Sequence, residues 1–262
     1  MIGFIGGGNM AEALIKGMTQ NRMKDIIVSE PRTDRCAYLE KTYGVKTTRD
    51  NKDVAAQSSL IILAVKPQNM DEVTVELAGL LTKDHMVVSI AAGITLSYLS
   101  ARLRIEKIIR AMPNTPALVL EGMTVMSMCE CIHDREMGTV RDIFMSIGRV
   151  MVLPEKYMDA VTAVSGSGPA YFAWFVEALT EAGEKAGLSK ENAAELSIAT
   201  MIGTAKMLET GMPPAQLREM VTSPGGTTAA GLKVFEEKRM KGLVAEVIGA
   251  AKNRSQELGR KE

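Results

Sequence analysis

The chain has 262 residues, of which 46% are hydrophobic and 24% charged, enough to bury one large core or two modest ones and too apolar for a disordered chain. Thirty-one basic residues balance thirty-one acidic ones, so no net field is present to hold a polyanion, and nucleic acid and charged membrane surfaces are poor partners. The longest apolar run, residues 60–65, falls far short of a membrane span, and the chain passes from Met1 straight into a glycine loop, so a cytoplasmic protein acting on small molecules is expected.

Short β-rich runs at 2–5, 26–29, 60–64, 86–90 and 107–110 alternate with helical stretches, the rhythm of an α/β domain with a mostly parallel sheet. Runs at 122–128 and 149–153 flank a helical segment at 133–146 and add strands at one side, in a direction the pattern does not reveal. Beyond Pro154 the strands stop. Gly168-Pro169 opens a helix that runs to Gly187, Ser189 caps another that runs to Thr210, Pro213-Pro214 starts a third, and 238–258 forms a last amphipathic stretch. The expected division is a Rossmann-like dinucleotide-binding domain over 1–153 and an all-helical dimerisation and substrate domain over 154–262. The helices at 170–186 and 191–208 are apolar or small around much of their circumference, with Ala193, Ala194, Ala199, Gly203 and Ala205 permitting close approach, and so predict a homodimer through this half.

Gly6-Gly7-Gly8-Asn9-Met10-Ala11 reads G-x-G-x-x-A between a hydrophobic strand and a helix, the setting that makes this pattern a dinucleotide fingerprint. At the end of the next strand the readings divide. Glu30 suits the ribose hydroxyls of NAD, whereas Arg32 or Arg35 suits the 2′-phosphate of NADP. A carboxylate about 4 Å from that phosphate costs on the order of 4 kcal/mol at an effective dielectric of 20, while each arginine bond returns roughly 1.5–3 kcal/mol, so the direction in which Glu30 points decides. NADP(H) is the expected coenzyme, with NAD(H) as the alternative. Asn51, Ala64-Val65-Lys66-Pro67 and Ala91-Ala92-Gly93 fall at strand ends or in the loops after them, where an open α/β sheet binds its ligand.

Farther along, Ser223-Pro224-Gly225-Gly226-Thr227-Thr228 sets bare backbone and hydroxyls at a helix start, the build of a carboxylate seat. Cys129-x-Cys131-x-His133 offers soft ligands that a strand would put on one face, yet no fourth ligand is apparent and no metal is expected.

These segments resemble the Δ1-pyrroline-5-carboxylate reductases. The likeness runs through 2–10, 64–67, 89–93, Arg110-Ala111-Met112-Pro113-Asn114-Thr115-Pro116, 159–171 and 221–231, nearly the whole chain. It implies reduction of a cyclic imino acid to L-proline with NAD(P)H, the final step of proline biosynthesis, by a cytoplasmic homodimer that can assemble further into rings. It places Asn51 and 112–115, Asn114 among them, toward the nicotinamide, Glu155 near the substrate ring and Ser165-Gly166-Ser167-Gly168 in the turn beneath. The family commonly uses NADPH and often carries a small polar residue where Glu30 stands, a departure in this chain. For that substrate the amides of Gly225, Gly226 and Thr227 are expected to hold the carboxylate, and Thr228 to hydrogen-bond the ring nitrogen as the catalytic hydroxyl. Two other readings remain: a β-hydroxyacid dehydrogenase relying on Lys206, and a dinucleotide-binding regulator without catalysis.

Overall fold

The computed structural model describes residues 1–129, 131–132 and 134–259, with the backbone course alone at 134–136. Eight strands, β1 (Ile2–Ile5), β2 (Ile26–Ser29), β3 (Lys46–Thr48), β4 (Leu60–Leu63), β5 (Met86–Ser89), β6 (Ile108–Met112), β7 (Gly122–Met128) and β8 (Gly148–Val152), form one sheet in the order β3-β2-β1-β4-β5-β6-β7-β8. The first six run parallel, β7 is antiparallel to β6, and β8 is parallel to β7. Connections leave β1 toward β2 on one side and return at β4 on the other. A crevice therefore opens where the carboxyl ends of β1 and β4 lie side by side.

Strand alternation builds a core on each face. Phe4, Val28, Ile62, Val88 and Ile109 point one way, onto Leu14, Ile15 and Met18 of α1 (Asn9–Gln20), Leu39 of α2 (Thr33–Tyr43) and Ile143 and Phe144 of α6 (Asp134–Met145). Ile5, Ile27, Ile61, Leu63 and Val87 point the other way, onto Val54 of α3 (Asn51–Gln57), Met70 and Leu77 of α4 (Met70–Leu77) and Leu99 and Leu103 of α5 (Leu96–Leu103). Each such large side chain withdrawn from water contributes roughly 1.5–3 kcal/mol, which is why this half closes on its own. The three-residue β3 was absent from the sequence reading. Lys46, Thr47 and Thr48 carry no hydrophobic period, and pairing with 27–29 makes them a strand.

Two compact units result, one from Met1–Ser167 together with residues from Ala250 onward, the other from Gly168–Gly249. The compact units part at 167/168, whereas the expected domain boundary was 153/154. Met158 and Val161 of α7 (Met158–Val161) pack on Val125 with Met112, Met123 and Leu153, which keeps the segment after β8 with the sheet. A single π-helical turn over Thr162–Gly166 follows, closed by the Ser167 N–H on the Thr162 carbonyl at 2.8 Å.

The second unit holds α8 (Gly168–Lys185), α9 (Lys190–Glu209), α10 (Pro214–Met220), α11 (Thr227–Glu237) and the start of α12 (Met240–Gly259). Ser189 caps α9 by accepting from the Asn192 amide, as its position suggested. Only Gly168, Thr180, Ala193 and Leu217 are buried in this unit, while Phe172 and Trp174 are each 63% exposed and Leu196, Ile202, Phe235 and Leu243 also face outward. Its apolar surface has no core of its own to enter.

Candidate active site

The crevice is built from backbone first. Gly6 sits at φ +97°, and a Cβ there would lie 2.8 Å from the Ala64 carbonyl oxygen, so the β1 turn and the β4 end meet at a distance only glycine permits. The Gly6 amide donates to Ser29 O and the Ala64 amide to Ile5 O, each at 2.8 Å, which locks three strand ends together. Gly8 then caps α1 with no side-chain bond of its own, and the space beside it is open. Asn9 and Met10 follow as the first helical residues, with amides that have no intrahelical acceptor. Open backbone at a helix start is the chemistry a diphosphate needs, so these residues fit a dinucleotide.

Glu30 does point inward. Only 4% exposed, it accepts the Gly7 N–H on Oε2 at 3.0 Å and, on Oε1, the Arg32 N–H at 3.1 Å and the Arg32 Nε–H at 2.8 Å. Burial alone would push its carboxyl up, but the bonds from the Arg32 side chain and the Arg32 and Gly7 amides together outweigh it and hold the group below the usual carboxylate range. Arg35 turns to the loop instead: its Nε–H donates to Gly7 O at 2.6 Å and its guanidinium pairs with Glu12. Glu12 also accepts the hydroxyls of Tyr38 and Tyr43, and again burial is outweighed, so its carboxyl is held low. The roles of Glu12 and Arg35 within the loop were not read from sequence, since their partners lie 23 residues apart.

The other predicted positions spread along the same carboxyl edge. Asn51 begins α3 and donates to Glu76 of α4 at 2.6 Å; Lys66 is exposed ahead of the short 3-10 turn Pro67–Asn69; Val65 and Ala64 are half-buried beside Gly6. Ala91 donates its amide to the Ser89 hydroxyl, and Ala92 is half-buried. Gly93 is not open to the crevice: a Cβ there would stand 3.1 Å from Leu258 Cβ and from the Gly259 nitrogen, because the end of α12 lies on it. Asn114 joins three segments, taking the Met123 amide on Oδ1 and donating to the carbonyl and hydroxyl of Ser165 in the π turn.

Glu155 is engaged by a residue that sequence reasoning passed over. Arg110, 4% exposed on β6, donates to Glu155 Oε1 at 3.2 Å and lies 3.9 Å from Asp159, which accepts the Ser255 hydroxyl at 2.7 Å. The Leu96 amide at the start of α5 donates to the same Oε1 at 2.8 Å, and Oε2 has no hydrogen bond among the described residues. An arginine inside a hydrophobic strand is the signal that could have found this cluster, since a buried guanidinium requires carboxylates.

In the second unit, Ser223–Gly226 is a turn with Pro224 at its second position and Gly225 at φ +70° in its third, closed by the Gly226 N–H on Ser223 O at 3.0 Å. The Gly226 amide is thus committed to the turn. This corrects its expected role as a carboxylate donor and leaves the Gly225 amide in the turn and those of Thr227 and Thr228, which open α11 without a side-chain cap. No atom lies within 4 Å of a Cβ built on Gly225, and the Ser223 hydroxyl has no bond among the described residues.

Cys129 and Cys131 are joined as a disulfide beyond the end of β7, so strand alternation does not carry through them, and His133 lies outside the described residues. A hollow of about 390 Å³ lined by Met23, Ile26, Tyr43 and Lys46 sits at the amino-terminal ends of β2 and β3, on the opposite edge of the sheet from the glycine turn after β1.

Residues 155–258 match the family model for pyrroline-5-carboxylate reductase dimerisation, and 1–93 match that for NADP oxidoreductase, coenzyme F420-dependent. The pyrroline-5-carboxylate reductase of Synechocystis is 44% identical over 264 aligned residues, covering 99% of this chain and 98% of that one. The chain belongs to the pyrroline-5-carboxylate reductase family. The reductase of Escherichia coli is 39% identical over 99% of this chain and 98% of its own. Among solved structures, the reductase from Coxiella burnetii superposes with a TM-score of 0.92 at 38% identity, covering 99% and 98% of the two chains, and that from Plasmodium falciparum, described with NADP bound, with 0.88 at 32%, covering 98% and 97%. The Rossmann-like first unit and the helical second half are those of the reductase family, and a family dimerisation region makes this a homo-oligomeric protein. Lys206, on which the dehydrogenase reading depended, is an exposed residue near the end of α9. No helix among the described residues is long and apolar enough to cross a membrane.

Proposed function

We propose that this protein reduces Δ1-pyrroline-5-carboxylate to L-proline with NAD(P)H, completing proline biosynthesis. Family membership over the full length supports the reaction, and the local observation that carries it is the set of open amides at Gly225, Thr227 and Thr228 beside neutral hydroxyls. When bound, the nicotinamide supplies a hydride to the imine carbon. The residues of the chain then have binding and positioning roles. Gly6, Gly7, Gly8, Asn9 and Met10 seat the diphosphate at the start of α1, and the ends of β3, β4, β5 and β6 line the rest of the crevice. NADP(H) is the coenzyme to which the family model and the Plasmodium structure point, with NAD(H) as the alternative. The carboxylate of the substrate is held on the Gly225 and Thr227 amides and the Ser223 hydroxyl, and Thr228 bonds the ring nitrogen, which keeps its proton as the ring becomes an amine. Glu155 faces the substrate ring through Oε2, the oxygen that Arg110 and Leu96 leave open. The exposed apolar helices of the second unit support a homodimer through α8 to α12, and a ring of dimers is its proposed extension.

The test is coenzyme oxidation by purified protein with pyrroline-5-carboxylate present and absent. Substrate-dependent oxidation of NADPH or NADH with proline as the product is expected. Turnover of hydroxy acids in its place would assign the protein to the dehydrogenase reading.

A further inference from the structure

We propose that Glu30 sets the coenzyme preference, making this enzyme bind NADH more tightly than NADPH; the inference rests on the reading that the crevice holds a nicotinamide dinucleotide. The end of β2 is where a doubly wound sheet meets the adenosine ribose. Here that place is taken by a carboxylate fixed from several sides. Oε2 lies on the Gly7 amide at 3.0 Å, Oε1 on the Arg32 amide and guanidinium, the Glu30 N–H donates to Thr48 O, and the Glu30 carbonyl accepts the Cys36 thiol. It cannot swing aside without leaving the Gly7 and Arg32 amides unpaired. A ribose diol offers two hydroxyl donors that can take the places of the two bonds from the Arg32 side chain, leaving the Gly7 and Arg32 amides paired. A 2′-phosphate brings a charge of about −1.5 to −2 and no donor of comparable use.

The arginines that could have reversed this are both engaged. Arg32 directs Nε and one terminal nitrogen at Glu30, at 2.8 and 3.3 Å, so the pair is neutral as a unit. Arg35 is held between Gly7 O, Gly8 O and Glu12, a second neutral pair. Neither offers the open fork by which arginine clamps a phosphate. Arg49, exposed just beyond the Thr48 carbonyl, is a further cation near the end of β3. NADP in the Plasmodium relative, at 32% identity, does not decide the matter, since the preference turns on single residues at the end of one strand.

Calorimetric titration of the full-length protein with NADH, NADPH, ADP-ribose and 2′-phospho-ADP-ribose tests the proposal without relying on turnover. The unphosphorylated member of each pair should bind about tenfold tighter or more. Glu30→Ser should weaken NADH and strengthen NADPH, closing the gap, and the near-isosteric Glu30→Gln should narrow it should the serine variant fold poorly. Arg49→Ala should leave the preference in place. Equal or tighter binding of the phosphorylated ligands by the wild type overturns the role given to Glu30 while leaving the dinucleotide site intact. Failure of all four ligands to bind overturns the crevice reading itself.

Discussion

Replacing Arg110 with Met keeps the length of the side chain and removes its charge. Glu155 and Asp159 would then face each other's charge with no cation between them, one held by the Leu96 amide and the other by the Ser255 hydroxyl. Breaking a fully buried pair costs about 3–5 kcal/mol. The side chain of Arg110 is 5% exposed, but those of Glu155 and Asp159 are 31% and 26% exposed and can recover water, so about 2–3 kcal/mol is expected once solvent screening is allowed for. With a urea slope of about 2–3 kcal/mol per molar, the unfolding midpoint should fall by about 1 M, measured at one fixed protein concentration because the protein is oligomeric. Arg110→Lys, which keeps the charge but loses the fork, should recover part of the loss. A midpoint for the Met variant within about 0.2 M of wild type would refute the claim that this guanidinium anchors the two carboxylates.

Gly6→Ala should cost about 1–3 kcal/mol of stability and weaken coenzyme binding, because φ +97° and a contact of 2.8 Å with backbone oxygen leave the methyl no room; Gly8→Ala, at φ −70° beside open space, should spare the fold and weaken coenzyme binding alone, as thermal unfolding and titration will tell. Thr228→Ala should lower kcat/KM by about 1–3 kcal/mol, roughly 5- to 150-fold, with little change in Tm, and Thr228→Ser should retain most of the activity; equal kinetics for the alanine variant would remove the hydroxyl from the reaction. The folded-state values of Glu12 and Glu30 are both depressed, so the stability they contribute is present above the ordinary value of 4.5 and is lost as pH falls through their lower folded values. Unfolding should therefore take up protons below about pH 5, and Glu12→Gln should flatten that slope in pH-dependent denaturation.

The nucleotide-binding half was legible because its signals are local. Alternating apolar residues, glycines at a tight turn and polar breaks each act within a few positions, and β1, β2 and β7 fall where those signals place them. The turn at Ser223–Gly226 was also within reach, since Pro-Gly at its centre already implies that the Gly226 amide closes it. What stayed hidden depends on distant partners. Lys46–Thr48 becomes a strand only beside β2, and the orientation of Glu30 is settled by Gly7, 23 residues earlier. Arg110 meets Glu155 across 45 residues, and Gly93 reads as a ligand-facing loop until the end of α12 is seen against it. Cys129 and Cys131 share one face only if the strand continues through them, and it ends at Met128.

The return of the last helix to the sheet has a consequence for biosynthesis. The Rossmann core can gather while the ribosome is still translating the helical half, yet Gly93 stays uncovered and Asp159 lacks the Ser255 hydroxyl until residues 255–259 have been made and have cleared the exit tunnel. A polypeptide cut back before Ser255 would keep a complete sheet with Gly93 uncovered and Asp159 without its hydroxyl partner, a natural target for quality control.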